Sequence, residues 1–568
     1  RQSLSETLES ITLGDGDPAA QAAALPLGTS TTQPAATPQR LTQTSSSKLS
    51  PAEQEALRAK AIANIDQRIS SIRFQQALTI EKRQGIPKTN SNIEEKNKYG
   101  GVRVFPLKGK TELISGSISR WRVQAAKVTI TPEGWKADRM GFSNDPFTPA
   151  QTRIDSEDVV ATEAANGDIL IRSRRNQLII EERLPIPVSR NQRIKKQEEV
   201  ENRWVLGTDN KDRDGFFVGR ELKPIELSKN YTLSLQPQFL LQRAIDGKTN
   251  SYIAPGSSID IGTVSQPVTA ADLFGLEAEL SGQTLGWKVD LNADLSTFNP
   301  QNFANGSRYW GDIKNDFDLP VIGSIDAHIF GAYRYKAWNG SLGETDIYSA
   351  YGAFLQKKGK WQWGKLQNSY LLRAGVGNYQ AKSFKSDNLA DLWRANLYGS
   401  WNSRYPLWRG KPAALTPEAA YRYSPVAIVP GLDFRTNLRT SLRAYSGQGN
   451  GQKTITLSAG PTLTLGTFSK PFLDYTRLSF SGSATLKGGN DSPFEFDQAI
   501  DLGTFGINLT QQIAGPLVIN AGVGLNVDQA SPYYGDVVNS NIEISWKRRS
   551  YDFGFYFNPY KGIGGFRF

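Results

Sequence analysis

Over its second half the chain alternates apolar and polar residues in runs of about ten, and that period restricts the fold more than any other feature. The stretch GLEAELSGQTLGWKVDLNADLSTF is the clearest case. Leu276, Ala278 and Leu280 point one way, and Glu277, Glu279 and Ser281 the other. After a turn at Gly282-Gln283-Thr284, Trp287, Val289, Leu291, Ala293 and Leu295 repeat the pattern, with Lys288, Asp290 and Asn292 opposite. KTITLSAGPTLTLGTF, GPLVINAGVGLNVDQA and SIDAHIFGAYRYKAW do the same. An apolar face of about five residues in a strand of about ten matches a strand tilted across a bilayer, with lipid outside and water inside. A soluble sandwich also alternates, but its strands are commonly five or six residues long and share one core. Aromatics gather near strand ends in KWQWGK, LYGSWNSRYPLW and YGAF, as in the interfacial girdles of membrane barrels.

Composition agrees. At 568 residues the chain exceeds the size of one compact core, and only 38% of it is hydrophobic. No run of about 18 apolar residues occurs, so no helix is expected to span a membrane. There is one histidine, His328, and no cysteine. Disulfides, thiolate chemistry and multi-histidine metal sites are thereby excluded, and no cofactor is expected. No GxSxG elbow occurs, and Phe330 stands two residues after His328 where a barrel phospholipase would need a serine. We expect no catalytic residues and no enzyme activity. The net charge of +11 is spread through strands and turns, with only short runs such as KRQGIPK, RIKK and KRR, so nucleic acid is not an expected partner. Basic residues in the lumen would suit phosphates and acidic sugars. Arg1, rather than Met, opens the sequence, as expected of a processed or trimmed chain.

Four regions are expected. Residues 1–50, rich in Ser, Thr, Ala and Pro, read as a disordered linker. Residues 51–90 read as a helical segment from Ser50-Pro51, with Leu57, Ile62, Ile65, Ile69 and Ile72 on one face. Residues 100–228 carry short strands around Pro132-Glu133-Gly134 and Asn166-Gly167-Asp168, with a weak repeat of just over 30 residues, the pattern of a β-jelly roll or β-solenoid. Residues 229–568 form the barrel. The expected fold class is all-β, a periplasmic jelly roll followed by an antiparallel transmembrane barrel of about 20–26 strands, at roughly 13 to 15 residues per strand and turn. Stretches 296–318 and 402–424 read as long loops or irregular strands. The end, YDFGFYFNPYKGIGGFRF, places Tyr551, Phe553, Phe555 and Phe557 on one face and resumes with Phe566 and Phe568. This suits a last strand facing lipid.

VTITPEGWKADRMGFSNDPFTPAQTRIDSEDVVA and LIIEERLPIPVSR resemble the OstA-type domain of the LptD family of lipopolysaccharide-assembly outer-membrane proteins, in its divergent cyanobacterial-type branch. The likeness is strong over about 115–190 and extends by architecture to about 100–568. NDPFTP, Asn144 to Pro149, is its most specific part. The resemblance implies lipopolysaccharide transport and insertion in a Gram-negative cell outer membrane, with the N-terminal domain in the periplasm. Lipopolysaccharide or a related glycolipid would come from a periplasmic Lpt bridge protein; a plug lipoprotein is a further partner, and outer-membrane lipids surround the barrel. An aliphatic groove of Val123, Val128, Ile130, Ile154, Val159, Ile169, Ile171 and Ile179 would shelter acyl chains, at about 0.8 kcal/mol per buried CH₂. The same residues would serve as plain core. Pro237, which we place in the first barrel strand, and Pro255 would weaken a lateral gate whose other lip holds Phe566 and Phe568, since proline removes a ladder donor. Two departures matter. Many members lock the two domains with disulfides, which this chain cannot form. Ile563 stands where the usual terminal signature has Gly, which leaves open a continuation past Phe568. A passive outer-membrane porin is the alternative, although a porin does not need the domain at 100–228.

Overall fold

A computed structural model of the chain describes residues 204–567 apart from 223–224, 229, 254–262, 321, 425–426 and 550–551. Before residue 204 it describes 79–80, 114–115, 122–125, 129–131, 134–143, 145, 150–163, 169–188 and 190–194. The linker expected at 1–50 lies outside these residues, as does the helix at 51–90 apart from Thr79–Ile80, which pairs with Ile114–Ser115.

Strands between Arg122 and Ile194 form one antiparallel sheet of eight. At its centre lie Gly134–Ser143 and Thr152–Glu163. The second of these changes its buried face midway. Ser156 is buried on one alternation, Val159 and Ala161 on the other, and Asp158 between them has φ 50°. A left-handed residue breaks the pleat, so the five-residue step from Ile154 to Val159 presents both halves to the same side. Ala137 pairs with Val159 and Ile171 with Ala161, and all four are buried on that face.

From Trp204 onward the strands close into a barrel. The segments Gly215–Arg220 and Ile225–Ser228 both pair with Tyr231–Phe239 and make one interrupted strand, which gives eighteen antiparallel strands in all. Two expectations change here. The barrel begins at Trp204, not near residue 229, so 204–228 is wall rather than connector. Eighteen falls below the expected 20–26 because the strands are longer than assumed: Glu344–Trp363 has 20 residues and Leu389–Arg409 has 21. Parts of the stretches read as loops, 307–318 and 402–409, lie in strands, leaving 296–306 and 410–430 as connections.

The barrel is apolar outside and polar inside. Along Leu389–Arg409, Trp393, Leu397 and Trp401 face outward, Leu397 being 53% exposed. Between them Arg394, Asn396, Tyr398 and Ser400 face the lumen, Asn396 being 4% exposed. Leu355, Leu372, Leu438 and Ile455 continue the outer band on neighbouring strands. Water does not stabilise such a surface, and a bilayer does. One rim carries short turns such as Leu285-Gly286 and Gly515-Pro516, the arrangement of the periplasmic side in this class. Near it run aromatic pairs: Trp287 on Phe317, Trp361 stacked on Trp401 at 6.1 Å, and Trp546 stacked on Phe553 at 6.2 Å. Phe553 and Phe566 lie exposed on the outer face and Phe555 packs against Phe566, so the terminal alternation matches lipid.

The outward band makes a specific prediction. Leu397→Arg, in the middle of the lipid face, should destabilise the barrel by about 2–4 kcal/mol in urea unfolding from lipid vesicles, whereas lumen-facing Ser481→Lys should cost less than about 1 kcal/mol. Equal costs would place the apolar face elsewhere.

Candidate functional site

The specific motif NDPFTP holds the two parts of the protein together. Its Asp145 is fully buried, and its carboxylate accepts both the Nε–H of Arg549 at 2.7 Å and the backbone N–H of Gln151 at 2.8 Å. Gln151 continues the contact: its side-chain amide donates to the Arg422 carbonyl and its side-chain oxygen accepts the Arg549 backbone N–H. Beside them Arg548 pairs with Glu181 at 2.9 Å. Arg548 and Arg549 lie in the connection between the barrel strands Val537–Lys547 and Asp552–Asn558, and Arg422 lies in the connection 410–430, both on the short-turn rim. The sheet therefore seats on that rim beneath the last hairpin. A desolvated, hydrogen-bonded carboxylate–guanidinium pair is directional, so it fixes orientation as a disulfide would.

The same hairpin forms the barrel's closing seam. The first strand, Trp204–Asp209, pairs with the last, Ile563–Arg567, at three positions: Gly207 with Gly565, Thr208 with Gly564 and Asp209 with Ile563. By contrast, Glu344–Trp363 and Leu366–Lys382 pair along nearly their whole length. The seam's bonds lie in its outer half and end at Asn210, whose N–H donates to the Gly562 carbonyl at 3.1 Å. Toward the sheet, the paired positions among the described residues stop at Gly207 and Gly565, and residues 201–203 and 568 lie outside the described residues. Glycine faces glycine at Gly207 and Gly565, so no side chains interlock there. A Cβ on Gly207 would sit 2.5 Å from the Phe217 ring, which explains why only glycine fits.

The first hairpin is fixed by buried charge. Its tip, Asn210 to Asp214, folds into the lumen. Arg213, fully buried, pairs with Asp209 at 3.0 Å, with Asp294 at 3.1 Å and with Glu277 at 3.4 Å. Arg243 pairs with Asp214 at 2.7 Å, and Asp212 takes Arg308 at 2.8 Å and Lys336 at 3.0 Å. Burial pushes the Asp212 carboxyl up, but these two cations outweigh it and hold it well below the usual range. On the far side of the outer rim the connection 489–502 also folds inward. Phe494 and Phe496 stack at 5.2 Å and pack on Tyr379. Asp497 accepts from Arg394 at 2.6 Å and forms an ion pair with Arg443 at 2.9 Å, which lowers its pKa despite its burial. Below this connection lies a cavity of about 410 Å³ lined largely by Ser, Thr, Asn and Arg.

The predicted site residues separate into those brought together and those not. Val159 and Ile171 are buried on one face of the sheet. Ile154 and Ile179 are half-buried on adjacent strands. Val123, Ile130 and Ile169 lie in strands of the same sheet, and Val128 lies outside the described residues. Phe566 lies in the last strand, at the seam. Pro237 does not: it sits in the third strand, paired with Leu276, because the barrel starts earlier than expected. Pro255 and Phe568 lie outside the described residues. Sequence reasoning missed Asp145 with Arg549, and Arg213. The alternating charges of DNKDRDG, 209–215, were the available signal for the latter.

A family model matches residues 115–568. The chain belongs to the family described as "Protein of unknown function (DUF3769)". No curated protein matches it. Among solved structures it is similar to the alcaligin outer membrane receptor FauA from Bordetella pertussis, at 8% identity and a TM-score of 0.23, over 77% of this chain and 74% of that one. A likeness at that level carries no argument; the outer-membrane character rests on the barrel's own lipid-facing band.

Because the chain has no cysteine, two spin labels can be placed without background, at Lys136→Cys on the sheet and Leu285→Cys on the rim. The wild-type background should give one narrow distance by electron–electron resonance. Arg549→Ala, which leaves the buried Asp145 carboxylate without its guanidinium partner at a cost of about 3–5 kcal/mol, should broaden it while the barrel stays folded. An unchanged distribution would assign the docking to other contacts.

Proposed function

We propose that this protein moves lipopolysaccharide or a related glycolipid from the periplasm into the outer membrane. The acyl chains travel along the apolar face of the N-terminal sheet, the saccharide head enters the polar lumen, and the whole lipid leaves sideways through the seam. The observation that carries this reading is the position of the weak seam. Three residue pairs among the described residues close it, and the sheet is pinned to the connection that leads into its last hairpin. A molecule with apolar tails and a polar head needs both routes to meet at one opening, since neither part is stable in the other's solvent. The first lip is held by the Arg213 cluster, so the last hairpin, Asp552 to Arg567, is the lip that moves. The resemblance of the 115–190 region to lipopolysaccharide-assembly proteins supports the choice of lipid. A periplasmic bridge protein would hand over the cargo at the sheet, and a plug lipoprotein remains a further proposed partner.

A passive channel is the second reading, favoured by the polar cavity in the lumen. It gives no role to the docked sheet or to the weak seam.

The test is to tie the seam shut. Leu206 and Phe566, next in register beyond Gly207 and Gly565, both face outward. Leu206→Cys with Phe566→Cys, joined by a short thiol–thiol crosslinker in cells, should reduce surface lipopolysaccharide by at least about tenfold, and lipid should accumulate on a photo-crosslinker placed at Ile171. Each single cysteine should be silent. Normal delivery through the tied seam would refute the lateral route, and no lipid captured at Ile171 would refute the sheet's role.

A further inference from the structure

We propose that the lumen holds an anion-binding station at Arg439, and that its ligand is a phosphate- or carboxylate-bearing saccharide. The inference rests on the transport reading only for the origin of that ligand. Arg435, Arg439 and Arg443 recur every fourth residue on the lumen face of Gly431–Tyr445, about 13 Å apart, and all three line the cavity. Their circumstances differ. Arg443 is neutralised by Asp497 at the outer rim. Arg439, at mid-height, has no carboxylate partner among the described residues. Among the described residues its one hydrogen bond runs from Nη2 to the Ser458 hydroxyl at 3.3 Å, and its buried Nε–H meets no acceptor. The carboxylates that line the cavity are both engaged at the outer rim: Asp497 by Arg394 and Arg443, Asp501 by Ser341 and Asn526.

An unmatched guanidinium in a partly desolvated cavity is costly unless an anion approaches, and its planar fork fits the two oxygens of a phosphate or carboxylate. The two strands beside it present a field of hydroxyls to the same cavity: Thr456, Ser458, Ser479, Ser481, Ser483 and Thr485. Hydroxyls both donate and accept, which suits the many OH groups of a sugar without demanding one orientation. A cation at mid-height in a hydroxyl-lined chamber therefore selects a ligand with one anionic group and several hydroxyls over a neutral sugar or a simple cation. Such a ligand is either the head of a membrane glycolipid or a free sugar phosphate.

The experiment uses the full chain in detergent, with glucose 1-phosphate and glucose as probes by titration calorimetry. Wild type should bind glucose 1-phosphate at least about tenfold more tightly than glucose, the size of one charge-assisted contact. Arg439→Gln should abolish that preference. Arg439→Lys, which keeps the charge and loses the fork, should fall between the two. Arg139→Gln, on the exposed sheet surface, should have no effect. Heat-modifiable mobility on gels checks that each variant folds. In cells, a photo-crosslinker at Thr485 separates the sources. Lipopolysaccharide captured there, and lost with Arg439→Gln, assigns the station to the glycolipid head. Capture at Ile171 but not at Thr485, with glucose 1-phosphate binding intact, supports a station for free anionic saccharides. Unchanged binding in Arg439→Gln, or equal affinity for glucose, overturns the station and leaves the transport reading standing. Binding retained in a protein that never captures lipopolysaccharide at Ile171 supports the station and overturns the transport reading.

Discussion

A strand in a bilayer has no water to satisfy its backbone, so each N–H and C=O must find a partner on a neighbouring strand. That requirement closes the sheet into a ring, and the ring is as strong as its weakest ladder. Here the shortest ladder among the described residues joins the two ends of the barrel, Trp204–Asp209 and Ile563–Arg567, through three residue pairs. Other features can be understood relative to it. The buried charges around Arg213 fix one edge of the seam, the short last hairpin forms the other edge, and the polar lumen lies behind both.

The sheet before the barrel is tied into the same place. Asp145 binds Arg549 at the root of the last hairpin, so any shift of the sheet bears on that hairpin. Buried ion pairs are weak sources of net stability but good sources of geometry, because a misplaced partner leaves a desolvated charge. This accounts for how a cysteine-free chain keeps its parts in register. It also gives a physical reason for an aspartate inside NDPFTP, where the sequence alone offers only a resemblance.

Legibility followed the physics of each region. Strands with one face in lipid and one in water announce themselves by period two, so the barrel, its outward band and the aromatic ends could be read from residues such as Leu276 and Trp287. The barrel's first strands could not. In WVLGTD and GFFVGR, glycine and small residues interrupt the alternation, so the regular pattern starts only after residue 229 and puts Pro237 in a first strand that is in fact the third. The strand count ran high because Glu344–Trp363 and Leu389–Arg409 are longer than average. The change of face at Asp158 needs a positive φ that no pattern encodes. Asp145 and Arg549 lie 404 residues apart, a separation at which one sequence carries no pairing signal.

Amide hydrogen exchange of the folded barrel in lipid tests the weak seam most directly, because exchange reports local opening without a substrate. The seam strands, 204–209 and 563–567, should exchange at least about a hundredfold faster than Glu344–Trp363 and Leu366–Lys382, a difference of about 2.7 kcal/mol or more in opening free energy. Protection at 204–209 and 563–567 equal to that of the long central strands would contradict a weak closing ladder.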